Sequence, residues 1–99
     1  MKIFKYPLEL TEEQTITLPE PAWILSVINQ YGKLVLYAVA ELKNNEINLL
    51  TVHSKTIKIV GTGEEFPDID IYEFINTVSM DDGRLIWHVF VKMMENPYA

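Results

Sequence analysis

The side chains best suited to chemistry lie in the last third of the chain, around His88. Histidine titrates near neutral pH, so it can transfer protons or bind a ligand. Thr77 is predicted to be its cross-strand neighbour, where it would fix the tautomer of the ring. Ser79 shares that face but lacks the strand-to-helix turn that activates a serine nucleophile. A lone histidine on a mostly apolar face is more often structural or an interface residue, and we predict contact rather than catalysis.

A glycine turn, Gly61-Thr62-Gly63, follows a predicted strand that carries Lys58. Backbone N–H groups in such a turn can surround an anion. The turn is neither a P-loop nor a dinucleotide fingerprint, because the lysine precedes the glycines and no helix follows them. Two interpretations remain open: a ligand loop, or glycines that only let the chain turn.

The predicted ligand-binding site combines these residues with exposed side chains at two turns. It consists of Tyr31, Lys58, Gly61, Thr62, Gly63, Thr77, Arg84 and His88. No catalytic residue, metal site or cofactor is predicted. The carboxylates between Glu64 and Glu73 match no calcium loop, and His53 has no second histidine at metal-binding spacing.

The segment from Tyr72 to Val91 predicts the β-hairpin that positions His88. Asp82-Gly83 favours a two-residue type I′ turn between two runs of β-forming residues. Counting from this turn pairs Val78 with Trp87, Thr77 with His88 and Ile75 with Phe90. One face is then core, and it holds Phe74, Val78, Met80, Leu85, Trp87, Val89 and Val91, with Asn76 as its only polar member. The other face is mixed, with Ile75, Thr77, Ser79, Arg84, Ile86, His88 and Phe90.

A second hairpin is predicted from Trp23 to Asn29 and from Lys33 to Leu42, with Gln30 to Gly32 as a three-residue loop. That loop places Trp23, Leu25 and Val27 on one face with Val35, Tyr37 and Val39. It places Ile24 and Ile28 on the other with Leu34, Leu36, Ala38 and Ala40. Both faces are apolar, so the hairpin is covered twice or offers one face to an oligomer. A helix is the alternative for 34–42.

The remaining segments complete an all-β prediction. Lys2 to Leu8 is an edge strand, Gln14 to Leu18 a short strand that returns along it, and Thr56 to Val60 a further strand. Residues 47–54 form either a strand or an irregular connection. We expect about seven mostly antiparallel strands, in a meander that forms a small sandwich or partly open barrel. Residues 1–91 are one domain, and 92–99 a tail that is frayed or reaches a neighbouring subunit.

Composition limits the classes of function. With 99 residues and 48% apolar side chains, the chain can form one core. It has no cysteine, so disulfides and thiolate chemistry are excluded. A net charge of −6 disfavours broad contact with nucleic acid; it suits a basic protein surface, or simply keeps the protein soluble. We expect no membrane span and no signal peptide, and a cytoplasmic protein.

Four motifs carry a family resemblance: KIFKYPLELTEEQTITLP at the start, ILSVINQYGKLVLYAV, KIVGTG, and DDGRLIWHVF. Together they resemble the DUF7352 group of small phage and prophage proteins, over nearly all of residues 1–91. The resemblance implies a phage origin and a life in the cytoplasm of an infected bacterium, and it implies no activity. A histidine often follows Gly-Thr-Gly in that group. Glu64 stands there in this chain, which disfavours an anionic ligand at the turn.

We therefore expect a phage-encoded, non-catalytic binding protein that acts against host defence. It would sequester a small, nucleotide-derived signal at a site between the subunits of a homo-oligomer. The alternatives are an acidic protein inhibitor of a host defence effector, or a minor structural or accessory protein of the phage. We expect no direct binding of nucleic acid or membrane.

Overall fold

A computed structural model describes residues 1–41 and 52–93 of the chain. These ranges contain seven β-strands: β1 (Lys2–Pro7), β2 (Glu13–Pro19), β3 (Ala22–Gln30), β4 (Lys33–Ala40), β5 (Val52–Gly61), β6 (Tyr72–Met80) and β7 (Leu85–Lys92). Single 3-10 turns span Ile69–Ile71 and Asp81–Gly83. The described ranges hold no α-helix, and hence no helix long and apolar enough to cross a membrane.

The strands form two open sheets, in the orders β1-β4-β3 and β2-β5-β7-β6. Every pairing is antiparallel, so the predicted all-β fold with antiparallel strands is confirmed. The expectation that the second strand returns along the first is wrong. The connection after β1 carries the chain into the other sheet, so β1 pairs with β4 and β2 with β5. Only β3–β4 and β6–β7 are hairpins of consecutive strands.

The core lies between the two sheets. Its most deeply buried side chains are Val27, Leu36, Ile57 and Val89, and two of them come from each sheet. Tyr6 packs against this cluster from the edge strand β1, and burial raises the pKa of its hydroxyl.

The β6–β7 hairpin turns at Asp82-Gly83 and keeps most of the predicted register, but its loop spans residues 81–84, between the paired residues Met80 and Leu85, rather than the predicted two residues. Asp82 and Gly83 have φ of 53° and 85°, and Arg84 N–H donates to Asp81 O at 3.1 Å. Val78 pairs with Trp87 and Thr77 with His88, as predicted. A β-bulge lies between Phe74 and Asn76, so Phe74 rather than Ile75 pairs with Phe90.

The same bulge corrects the predicted faces of β6. One extra residue reverses the alternation of side chains, so Ile75 packs against the core and Phe74 lies outside it, 54% exposed. The predictions of Phe74 as core and of Ile75 on the mixed face are therefore wrong.

The β3–β4 hairpin is also present, with a shorter loop than predicted. Gln30 pairs with Lys33, so the loop is Tyr31-Gly32, with φ of 53° and 82°. A second bulge lies between Ile24 and Ser26. Residues 34–40 are strand rather than helix, and of the ambiguous segment 47–54 the part from Val52 belongs to β5; residues 47–51 lie outside the described ranges.

The shorter loop and the bulge change which residues share a face. Val27 pairs with Leu36 and is core, whereas Ile28 pairs with Val35 and is 42% exposed. The sequence had predicted each of them on the other face: Val27 with Val35, and Ile28 with Leu36. The predicted placement of Trp23 beside Val39 is correct. On the outward face of this sheet Ile3, Trp23 and Ile28 are exposed, whereas Val35 is buried.

Asn76 joins the two sheets along one edge. Its side-chain Oδ1 accepts from Val27 N–H and its Nδ2 donates to Val27 O, both at 2.7 Å. The side-chain amide of β6 thus replaces the backbone partner that edge strand β3 lacks. Farther along the same edge, Asn29 Nδ2 donates to Ser79 O at 3.2 Å. This explains the polar residue on the predicted core face.

We expect Asn76→Ala to lower the free energy of unfolding by about 2 kcal/mol, because Val27 N–H and C=O would lose their partners in a partly buried place. Asn29→Ala is the matched control. Asn29 also makes two hydrogen bonds, to Ser79 O and from Gly32 N–H, but both are exposed, so about 1 kcal/mol or less is expected. Urea denaturation measures the free energy of unfolding of both variants. Equal losses would contradict a stabilising role of the Asn76 bridge.

Candidate functional site

His88 lies between two threonine hydroxyls on the outward face of the four-stranded sheet. Its Nε2 is 2.8 Å from Thr62 Oγ1, and its Nδ1 is 2.9 Å from Thr77 Oγ1. A hydroxyl can donate or accept, so either neutral tautomer satisfies both contacts. Three of the predicted site residues are thus brought together. The ring has no free nitrogen for a substrate in this arrangement.

Lys58 lies on the same face, next to an aromatic cluster. Its Nζ is 3.0 Å from Glu12 Oε1 and 5.6 Å from the centre of the Phe66 ring. Phe66 contacts Tyr72 and Phe90, with ring centres 5.2 and 5.0 Å apart, and Phe74 contacts Phe90 at 5.4 Å. The lysine charge is therefore already neutralised by a carboxylate and stabilised by a ring.

The Gly61-Thr62-Gly63 turn is closed by its own chain. Glu64 N–H donates to Gly61 O at 3.1 Å, and Gly63 has a φ of 90°. A Cβ at position 61 would lie 2.5 Å from Glu64 Oε1, so this carboxylate sits directly over the glycine. An anion at this backbone would meet a negative charge, which disfavours the anion-binding interpretation of the turn.

Arg84 and Tyr31 lie at hairpin tips, and the structure gives neither of them a contact with His88. Arg84 Nη1 is 3.9 Å from Asp81 Oδ2, within its own turn. Tyr31 is 98% exposed at the tip of the β3–β4 hairpin, in the other sheet.

We expect Thr62→Val and Thr77→Val each to lower the free energy of unfolding by about 0.5–1 kcal/mol, because each removes one partner of the His88 ring at an exposed position. Thr17→Val is the control. Thr17 is an exposed β2 residue, and its substitution makes the same change in strand propensity as that of Thr77; Thr62 lies in the turn after β5, where strand propensity does not enter. Urea denaturation gives the energies, and NMR of the His88 ring nitrogens should change in the two test variants only. Losses no greater than that of Thr17→Val would show that the hydroxyls do not hold the ring.

A groove that the sequence did not predict lies between the sheets, beside the Asn76 bridge. Its volume is about 360 Å³. The bulge residues Leu25 and Ile75 both line it, one from each sheet. Four of its lining side chains are large, apolar and about half exposed: Trp23 at 50%, Leu25 at 50%, Phe74 at 54% and Met93 at 55%.

Three charged residues also line the groove: Lys55, Glu73 and Lys92. Lys55 pairs with the core residue Ile16 and lies two positions before Ile57, so it is on the inward side of β5. The sequence signal for this was available, because Lys55 shares the alternation of Ile57 and Ile59. It was missed because β2 was not expected to pair with β5.

Within residues 1–41 and 52–93, no three histidine, aspartate or glutamate side chains are placed to hold a metal ion together. A model of the family described as Domain of unknown function (DUF7352) matches the chain over residues 1–99. No curated protein and no solved structure matches it.

Proposed function

The chain belongs to the DUF7352 family, and we propose that it is a non-catalytic binding protein whose contact site is the groove beside the Asn76 bridge. The setting in which we propose that it acts is the cytoplasm of a phage-infected bacterium, as an antagonist of host defence. That setting is a prediction from the family resemblance.

The single observation that carries the proposal is the convergence of Trp23, Leu25, Phe74 and Met93 on one groove. Each leaves about half of its surface in water, which costs free energy that burial against a partner would recover. Scattered apolar side chains are ordinary on a surface, whereas a group around one concavity is typical of a binding site.

The described contacts of the polar residues support binding rather than catalysis. Both ring nitrogens of His88 are taken by threonine hydroxyls. Lys58 and Arg84 each face a carboxylate of the same chain. These side chains contact groups of their own chain, whereas a general base needs a free lone pair within hydrogen-bonding reach of its substrate.

We expect Leu25→Asp to abolish ligand capture, because it places a charge on the apolar rim of the groove. Ile28→Asp is the matched control, since Ile28 lies on the same strand, is similarly exposed, and does not line the groove. The chain is purified from bacteria without denaturation and examined by native mass spectrometry for a bound molecule or stoichiometric protein. Wild type and Ile28→Asp should carry the bound molecule. Leu25→Asp should lose at least 90% of the bound molecule, which corresponds to about 1.4 kcal/mol of binding free energy. Equal capture by both variants would contradict the site.

A second candidate function, inhibition of a basic host protein, is supported by the aromatic cluster on the outward face of the four-stranded sheet. Phe74 is exposed there, and one carboxylate lies beside the rings: Tyr72 hydroxyl donates to Glu13 at 3.1 Å. Exposed aromatic side chains next to a carboxylate suit a partner with a positive, partly apolar surface.

For this candidate, Glu13→Lys should reduce capture of the protein partner about tenfold, because it reverses a charge next to the rings. Glu20→Lys reverses an equal charge beside His53, beyond the other end of β2, and should leave capture unchanged. Pull-down at low and high salt measures both. Capture insensitive to Glu13→Lys and to salt would exclude this surface.

Sequestration of a nucleotide-derived signal between subunits remains a prediction. The hydroxyls of Thr62 and Thr77 each keep further hydrogen-bonding capacity beside His88, which supports it. The carboxylate of Glu64 over the glycine turn weighs against a phosphate there. Self-association remains a prediction too, supported by the exposed outward face of the three-stranded sheet.

A further inference from the structure

The charged side chains that line the groove indicate the chemical class of its ligand. We propose that the groove binds a small molecule with an apolar body and a single carboxylate, and that Lys55 neutralises that carboxylate. The proposal rests on the groove being the binding site and adds the chemical class of the ligand.

Lys55 is the unusual residue in the groove. Its cross-strand partner Ile16 and its strand neighbour Ile57 both belong to the core, and Lys55 is itself only partly exposed. Within the described ranges it makes no ion pair and no hydrogen bond through its side chain. An ammonium without a counter-charge beside an apolar lining would gain a charge-assisted hydrogen bond from a bound anion.

The rest of the groove fits an apolar body. Trp23, Leu25, Phe74 and Ile75 contribute rings and branched carbons to its lining. The volume of about 360 Å³ lies at the lower end of the roughly 300–1,000 Å³ of small-molecule sites. A ligand of about ten non-hydrogen atoms with one ring would contact both sheets.

The charge balance favours one negative charge on the ligand. Lys55 and Lys92 supply two positive charges and Glu73 one negative charge, which leaves one net positive charge. A phosphate with two negative charges would exceed this and approach Glu73.

The probes are hydrocinnamate and hydrocinnamyl alcohol, which share one phenyl-propyl body and differ in the carboxylate. NMR titration at physiological salt follows the Trp23 indole, with Trp87 as internal reference. We expect hydrocinnamate to shift Trp23 and to bind about tenfold more tightly than the alcohol. Lys55→Gln should remove this difference by weakening hydrocinnamate about tenfold and leaving the alcohol unchanged. Lys33→Gln, an exposed lysine of the other sheet, should change neither by more than about twofold.

The outcomes separate the ligand class from the site. Equal binding of carboxylate and alcohol, or equal weakening of both by Lys55→Gln, would overturn the anion assignment while the groove still bound apolar molecules. A Lys55-dependent shift with adenosine monophosphate and none with hydrocinnamate would overturn it in favour of a nucleotide. If neither phenyl probe shifts the Trp23 signal, the proposed ligand class is wrong. Whether the groove is a binding site at all is then decided by the Leu25→Asp experiment alone. If Lys55→Gln does not fold, the two probes on wild type still decide.

Discussion

Two side-chain amides join the two sheets along one edge, and Asn76 makes the shorter and less exposed contacts. Each sheet is satisfied by its own ladders, and hydrophobic burial alone would allow them to slide, because it is not directional. The two hydrogen bonds between Asn76 and Val27 are directional, and they join backbone groups of one edge strand to the neighbouring sheet. An amide carries a donor and an acceptor at the spacing of a peptide group, so asparagine does what a paired strand would do. The relative position of the sheets therefore depends on it.

The groove follows from the irregular places on either side of that bridge. Both edge strands bulge just before the bridge, at Leu25 and at Ile75, and a bulge bends its strand and turns side chains to new faces. Phe74 leaves the core for this reason, and Leu25 becomes half exposed. Bulges commonly lie beside functional sites, and here two of them line one space from opposite walls.

The sequence predicted what depends on neighbouring residues and missed what depends on distant ones. Asp82-Gly83 determines its turn by local backbone preference, so the pairing of Thr77 with His88 could be counted outward from it. The predicted alternation of side chains fails at Ile75, because the bulge depends on contacts with the opposite sheet and not on the sequence of its own strand. The contact of Thr62 with His88 depends on the pairing of β5 with β7 across a long connection, and no local pattern carries that information. The inward side of Lys55 follows from its alternation with Ile57, but its place beside Ile16 depends on the pairing of β2 with β5. The turn at Tyr31-Gly32 was predicted at the correct position, but the predicted loop was one residue too long.

Tyr31 has a backbone conformation that its side chain does not favour. It holds a left-handed backbone conformation, φ 53°, while its side chain is 98% exposed. That conformation costs a tyrosine about 1 kcal/mol or more, and burial returns nothing here. Asparagine or glycine would occupy the same position at lower cost and with the same turn. The fold of the single chain accordingly does not account for a tyrosine at this tip, and its stability would rise if the ring were lost.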